Sequence, residues 1–179
     1  MRTVHLINTG GTIEKAYQET DGSLLNVDAR LESFLKRLRL PHVRLIVTRL
    51  MNVDSLHMTD DHRKLVAQTA RVKQEDGFPI VITHGTDTLV ETGKTVATEL
   101  GRPSVPIVMA GAMIPLGFEN SDGLQNLTEA ILATLFLPTG VWVVMHGQVF
   151  PVDNVRKNRE RGTFEAIDPE ALPQWAPIS

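Results

Sequence analysis

The sequence predicts an α/β fold, a three-layer, open, mainly parallel sheet with helices on both faces. Two observations carry this. Short apolar runs alternate with longer amphipathic stretches five times, an ordering that favours parallel strands joined by helical crossovers. Where the apolar runs end, small and hydroxyl-bearing residues take over, as in Asn8-Thr9-Gly10-Gly11-Thr12 and Thr83-His84-Gly85-Thr86-Asp87-Thr88. In open parallel sheets ligands bind beyond the carboxyl ends of the strands. With 179 residues, 42% hydrophobic and 22% charged, the chain has the profile of an ordinary globular protein with one full-sized core. A single domain over residues 1–179 is expected.

The elements follow in order. Val4–Ile7 reads as the first strand. Residues 14–27 are polar, with Asp21-Gly22-Ser23 as a turn signal. This stretch is too long for a minimal connection, and such loops near strand ends are often lids. Asp28–Leu38 carries Leu31, Phe34, Leu35 and Leu38 at helical spacing. Val43–Val47 is a second strand. Thr59–Glu75 is a helix, with Thr59 as cap, Asp60 and Asp61 at its positive end and Gly77 as stop. Ile80–Thr83 is a third strand, Leu89–Leu100 a helix closed by Gly101 and Pro103, and Val105–Met109 a fourth strand. Gly111–Asn120 is a loop, Ser121 caps a helix through Leu135, and Val141–Met145 is a fifth strand. After Gly147 the pattern weakens into a polar, basic stretch over 151–163 and a proline-bearing tail.

Composition narrows the function. A net charge of -3 gives no support for a nucleic-acid or anionic-membrane partner. With no cysteine, disulfides, thiolate zinc sites and a cysteine nucleophile are excluded. The N-terminal apolar run is too short for a signal peptide, and no stretch reaches the ~18 apolar residues of a membrane helix. A cytoplasmic location is expected. His57 and His62 lack a metal-ligand spacing, and no His-Glu-x-x-His pattern occurs. Neither a metal nor a cofactor is expected.

Thr12 follows two glycines, which permit unusual backbone angles and close approach of a ligand. Exposed amides there suit an anion or a developing oxyanion. A tight turn with a solvated threonine is the plainer reading. The spacing matches neither a dinucleotide-binding fingerprint nor a Walker loop. Thr86-Asp87-Thr88 concentrates hydroxyl and carboxylate in three residues. A threonine hydroxyl is a weak nucleophile unless another group withdraws or polarises its proton. Capping of the helix near Leu89 is the competing explanation, but it does not account for His84-Gly85. His84 is either a base or a hydrogen-bonding structural residue. Asp54-Ser55 follows the second strand, where a turn or cap is the plain reading. Lys157, if buried beside Thr86, would have a lowered pKa and serve as a proton relay.

Taken together, these segments resemble the bacterial-type L-asparaginase family. The matching pieces are Thr9-Gly10-Gly11-Thr12-Ile13, Asp54-Ser55 with Met58-Thr59, His84-Gly85-Thr86-Asp87-Thr88-Leu89, Gly111-Ala112-Met113 with Pro115, Asp122-Gly123 with Asn126-Leu127, and Lys157. The resemblance spans nearly the whole chain and implies the flavodoxin/Rossmann-like N-terminal asparaginase domain. It implies Thr12 as nucleophile and Thr86, Lys157 and Asp87 as the proton-transfer group. Asp87 would also bind the substrate α-ammonium, and Ser55, beside Asp54, the α-carboxylate. The Ala112 carbonyl would face the leaving amide. Amides near Thr12 and Thr86, in the loops of Gly11 and Gly85, would hold the oxyanion. Tyr17, the only tyrosine, would be the lid tyrosine that hydrogen-bonds the nucleophile.

Two departures stand out. The chain ends just after the first domain of the long enzymes, which reads as a short form lacking the C-terminal domain. Leu56 stands where many long enzymes place a glutamine after the serine. The implied reaction is hydrolysis of L-asparagine to L-aspartate and ammonia, with the substrate as small-molecule partner and a homo-oligomer, dimer or tetramer, as the assembly. The alternatives are a broader ω-amidase or glutaminase, and a non-catalytic aspartate-binding module.

Overall fold

A computed structural model describes residues 1–26 and 30–173. Its centre is a six-stranded sheet built from β1 (Arg2–Asn8), β4 (Val43–Arg49), β5 (Ile80–Thr83), β6 (Pro106–Ala110), β7 (Gly140–Met145) and β8 (Gln148–Pro151), in the order β4-β1-β5-β6-β7-β8. The first five are parallel, and β8 returns antiparallel to β7. That return is a two-residue turn at His146-Gly147, both with positive φ (52° and 75°), the conformation that matches the twist of a tight hairpin.

Helices cover both faces. Alternate residues of the strands point to opposite sides, and the core divides accordingly. Ile7, Ile82, Met109 and Val143 pack with Val66 and Ala70 of α2 (Asp60–Lys73) and Leu89 and Val96 of α3 (Leu89–Leu100). Leu6, Val81, Val108 and Trp142 pack on the other side with Leu31 of α1 (Arg30–Leu35) and Leu127 and Ile131 of α4 (Gly123–Ala133). The inner strands are buried on both faces, which is why they read as continuous apolar runs rather than alternating ones. Thr59 caps α2 as expected. Its hydroxyl accepts from the His62 N–H, and His62 Nδ1 accepts from the Thr59 N–H.

Several boundaries shift. β4 runs on to Arg49, α1 stops at Leu35 and α4 at Ala133. The expected start of the first helix, at residues 28–29, lies outside the described residues. The stretch expected as a polar lid contains a hairpin of β2 (Lys15–Tyr17) and β3 (Leu24–Asn26), turning through Asp21-Gly22-Ser23. The basic stretch after Gly147 contains β8 and a second hairpin, β9 (Arg156–Asn158) with β10 (Thr163–Glu165).

The strand order fixes where a ligand fits. From β1 the chain crosses to β4 on one side, then to β5 on the other. The crevice at the carboxyl ends of β1 and β5 is therefore a topological switch point. Both threonine loops leave the sheet there.

Candidate active site

Four loops meet above this crevice, and glycines let them meet. Gly11 has φ +83°, and a Cβ there would lie 2.3 Å from both Cα and N of Gly85. A Cβ on Gly85 would come within 2.5 Å of Ser55 Oγ, and one on Gly111 within 2.4 Å of the His84 carbonyl oxygen. The backbones of the loops carrying Thr12, Thr86 and Ala112 are thus in direct contact, and the Ser55 side chain packs against Gly85. No side chain larger than hydrogen fits between them.

The first loop is braced from below. Asn8 Oδ1 accepts from the Gly10 N–H at 3.1 Å and from the Thr83 hydroxyl at 2.9 Å. Thr9 donates its hydroxyl to the Thr83 carbonyl at 2.8 Å. Glu14, 1% exposed, accepts from the Asn8 amide and from the Leu31 N–H at 2.9 Å. Above these anchors Thr12 opens a single 3-10 turn, Thr12–Glu14. Its amide is an orphan of the first turn, and its half-buried hydroxyl has no hydrogen-bond partner among the described residues. The Gly11 amide is engaged by the Val53 carbonyl at 3.1 Å. What Gly11 supplies is therefore clearance, and the amides of Thr12, Gly85 and Thr86 are among the loop donors without a partner among the described residues.

The second loop is held from above. Lys157 Nζ donates to Thr86 Oγ1 at 2.8 Å and to Asp87 Oδ1 at 3.0 Å. Thr86 is 3% exposed. Because an ammonium only donates, the Thr86 oxygen accepts and its own proton stays available. Arg159 Nη1 reaches the same Asp87 Oδ1 at 2.7 Å. Partial burial alone would raise the Asp87 pKa, but the Lys157 and Arg159 cations outweigh it and hold the carboxyl below its ordinary value. Lys157 reaches Thr86 because the β9–β10 hairpin folds back toward the site. Neither Asp87 nor Thr88 caps α3 with its side chain. Asp87 takes the two cations, and the Thr88 hydroxyl donates to the Ser55 carbonyl at 2.8 Å.

Ser55 is buried, one residue after Asp54. Asp54 accepts from the Leu56 N–H at 3.1 Å and pairs with Lys15 at 2.6 Å. Here too partial burial raises the pKa and the ion pair with the backbone bond lowers it further, for a net depression. His84 is fully buried. Its Nδ1 lies 2.8 Å from the Gly85 carbonyl and its Nε2 2.7 Å from the Thr92 hydroxyl. A carbonyl cannot donate, so Nδ1 carries the hydrogen and Nε2 accepts from Thr92. Burial lowers its pKa to about 4. With both nitrogens engaged, His84 is a brace for the second loop and not a base.

Ala112 is buried in a loop gripped on both sides. The Asp122 carboxylate accepts from the Met113 and Ile114 amides at 2.9–3.0 Å. Asn126 Nδ2 donates to the Gly111 carbonyl at 3.0 Å. His146 links this cluster to the hairpin, with Nε2 2.8 Å from Asp122 and Nδ1 2.8 Å from the Thr163 hydroxyl. Tyr17 stands apart. It is 58% exposed, and its hydroxyl lies near the Gly22 turn, with no bond to Thr12 among the described residues.

Asn8, Glu14, Lys15, His146 and Arg159 complete the arrangement, and sequence reasoning did not single them out. Each also makes a contact distant in the chain, Asn8 with Thr83 and Glu14 with Leu31 among them, which residue spacing does not mark. Among the described residues no group of three His, Cys, Asp or Glu is placed to hold a metal, and no described helix is long and apolar enough to cross a membrane.

Comparison with known proteins gives a consistent result. A family model described as asparaginase, N-terminal, matches residues 3–178. The L-asparaginase of Thermococcus kodakarensis is 29% identical over 167 residues, covering 91% of this chain and 50% of that protein. A glutamyl-tRNA(Gln) amidotransferase component of Methanococcus vannielii is 26% identical, covering 83% of this chain and 35% of that protein. The solved structure of the thermostable Thermococcus kodakarensis enzyme superposes with a TM-score of 0.80 at 25% identity, over 92% of this chain and 51% of that one. The chain thus spans about half the length of the L-asparaginases it matches.

Proposed function

This chain belongs to the asparaginase family, and on that premise we propose that it hydrolyses L-asparagine to L-aspartate and ammonia through a threonine acyl-enzyme. One observation carries the reading. A hydroxyl without a partner among the described residues, on Thr12, lies one residue beyond the contact with Gly85, and a hydroxyl held by an ammonium, on Thr86, lies one residue beyond it on the other side. One group is free to attack, and the other is fixed to move a proton.

In the first stage Thr12 Oγ1 adds to the side-chain amide carbon. The oxyanion is met by the free loop amides of Thr12 and Thr86. The Thr12 proton passes by way of Thr86 to the amide nitrogen, the C–N bond breaks and ammonia leaves. In the second stage a water adds to the Thr12 ester, guided by Thr86, Lys157 and Asp87. The C–O bond breaks, and Thr12 recovers its proton. Ser55, next to Asp54, receives the α-carboxylate, Asp87 the α-ammonium, and the Ala112 carbonyl faces the departing NH₂. Gly11 and Gly85 supply the close approach. Tyr17 acts when the β2–β3 hairpin folds over Thr12. No metal or cofactor takes part. We extend the reading to a single asparaginase-type domain over residues 1–179, cytoplasmic in location and assembling as a homo-oligomer.

Thr12→Val and Thr86→Val should each reduce ammonia release from asparagine by about 10³-fold or more, with circular dichroism and melting unchanged. Near-normal turnover in either variant would sink the reading. A broader ω-amide specificity is the second reading. It is favoured by Leu56, which is 64% exposed and brings no polar contact, and by the likeness to an amidotransferase component. Parallel assays on asparagine and glutamine separate the two.

A further inference from the structure

Two carboxylates face the crevice mouth, and three cations are already on them. Lys15 pairs with Asp54, while Lys157 and Arg159 share one oxygen of Asp87. The pairing is unequal in kind. Lys157 is largely enclosed and held by Thr86 as well, whereas Arg159 has 68% of its side chain exposed and reaches Asp87 from outside with a single nitrogen. Lys157 is therefore fixed, and Arg159 is a surplus charge.

A carboxylate bearing one negative charge and two cations has no net attraction left for a third. An incoming α-ammonium must displace Arg159 or share Asp87 with it. A ligand that carries the carboxylate and the ω-amide but no ammonium meets no such competition. It also brings the negative charge that the mouth lacks. Beyond the one on Asp87, Arg159 has further N–H donors of the kind that suit a carboxylate.

We propose that Arg159 is a specificity-determining residue that shifts the site away from free α-amino acids and toward ω-amides of dicarboxylic acids lacking a free α-ammonium. The proposal rests on the amide-hydrolysis reading only for its substrate. The charge arrangement at Asp87 stands without it.

The experiment compares L-asparagine with succinamic acid, the same acid amide without the amino group. Ammonia release is measured for wild type, Arg159→Ala and Arg159→Lys. The asparagine-to-succinamate ratio of kcat/KM should rise about tenfold in Arg159→Ala, the scale of one partly screened unit charge, and stay near wild type in Arg159→Lys. A ratio unchanged within about twofold in Arg159→Ala overturns the proposal, as does a lysine variant that behaves like alanine. Calorimetry of L-aspartate and succinate on the Thr12→Val background, with and without Arg159→Ala, separates the two readings. A shifted binding ratio without turnover in the parent would remove the hydrolysis reading and keep this one. Failure of succinate to bind would overturn this one.

Discussion

The loops carrying Thr12 and Thr86 leave adjacent strands at the same end of one sheet, yet they are held in opposite ways. The Thr12 loop is braced through backbone and buried polar groups beneath it, by Asn8, Thr83 and Glu14, and its hydroxyl is left unengaged. The Thr86 loop is braced on the hydroxyl itself, by Lys157, with the ring of His84 fixed below. On the proposed reading, the contrast teaches how one residue type supports two roles. A nucleophile needs a rigid backbone and a free oxygen. A proton relay needs its oxygen oriented. Both come from what surrounds the threonine, not from the threonine.

This contrast can be broken at the shared contact, with the largest effect. Gly11→Ala puts a methyl against the Gly85 backbone and forces a side-chain residue to φ +83°. Ammonia release should fall by about 100-fold or more, and the melting temperature by about 5 °C. Gly22→Ala is the control, because it also has positive φ (+74°) but meets only the Tyr17 hydroxyl, at 3.8 Å. If both variants melt and turn over alike, the backbone contact is not what aligns the loops.

Lys157→Met sharpens the contrast by making Thr86 as free as Thr12. Turnover should drop by about 100-fold while the fold persists, because Arg159 still neutralises Asp87. Steady-state assays near wild-type rate would show that the held hydroxyl has no special part in proton transfer.

The smallest effect concerns stability. The His84 pKa falls from 6.5 to about 4 in the fold, so between these values the unfolded chain binds a proton that the folded chain refuses. Stability therefore drops as pH falls through this window, by about 3 kcal/mol at its lower end. The depressed carboxylates Asp54, Asp87 and Asp122 act at lower pH. Denaturant titrations between pH 7 and 4.5 should show the slope in wild type and lose it in His84→Asn. A slope that survives the substitution would place the proton uptake elsewhere.

Much of this was legible in the residue pattern, for identifiable reasons. Ile80–Thr83 and Leu89–Leu100 were read with their observed ends, because a buried parallel strand is a continuous apolar run and Gly101 stops the helix after it. The three-residue strands β2, β3, β9 and β10 were not read, since so short a strand shows no period. Their pairing depends on partners, not on their own composition. The same limit applies to the site. Thr12 and Thr86 announced themselves by position after a strand. Arg159 and Glu14 look like any charged residue, and only folding brings Arg159 to Asp87 and buries Glu14 under Asn8. Position favours a helix cap in Thr86-Asp87-Thr88, yet the Thr88 hydroxyl crosses to Ser55, a contact that no spacing encodes.

Glu14 has a mechanical consequence. Its carboxylate ties Asn8 of β1 to the start of α1, and β2 begins at the next residue. Thr12 lies on the sheet side of this rivet and Tyr17 on the far side. Glu14 is thus a buried fixed point between the β2–β3 hairpin and the Thr12 turn.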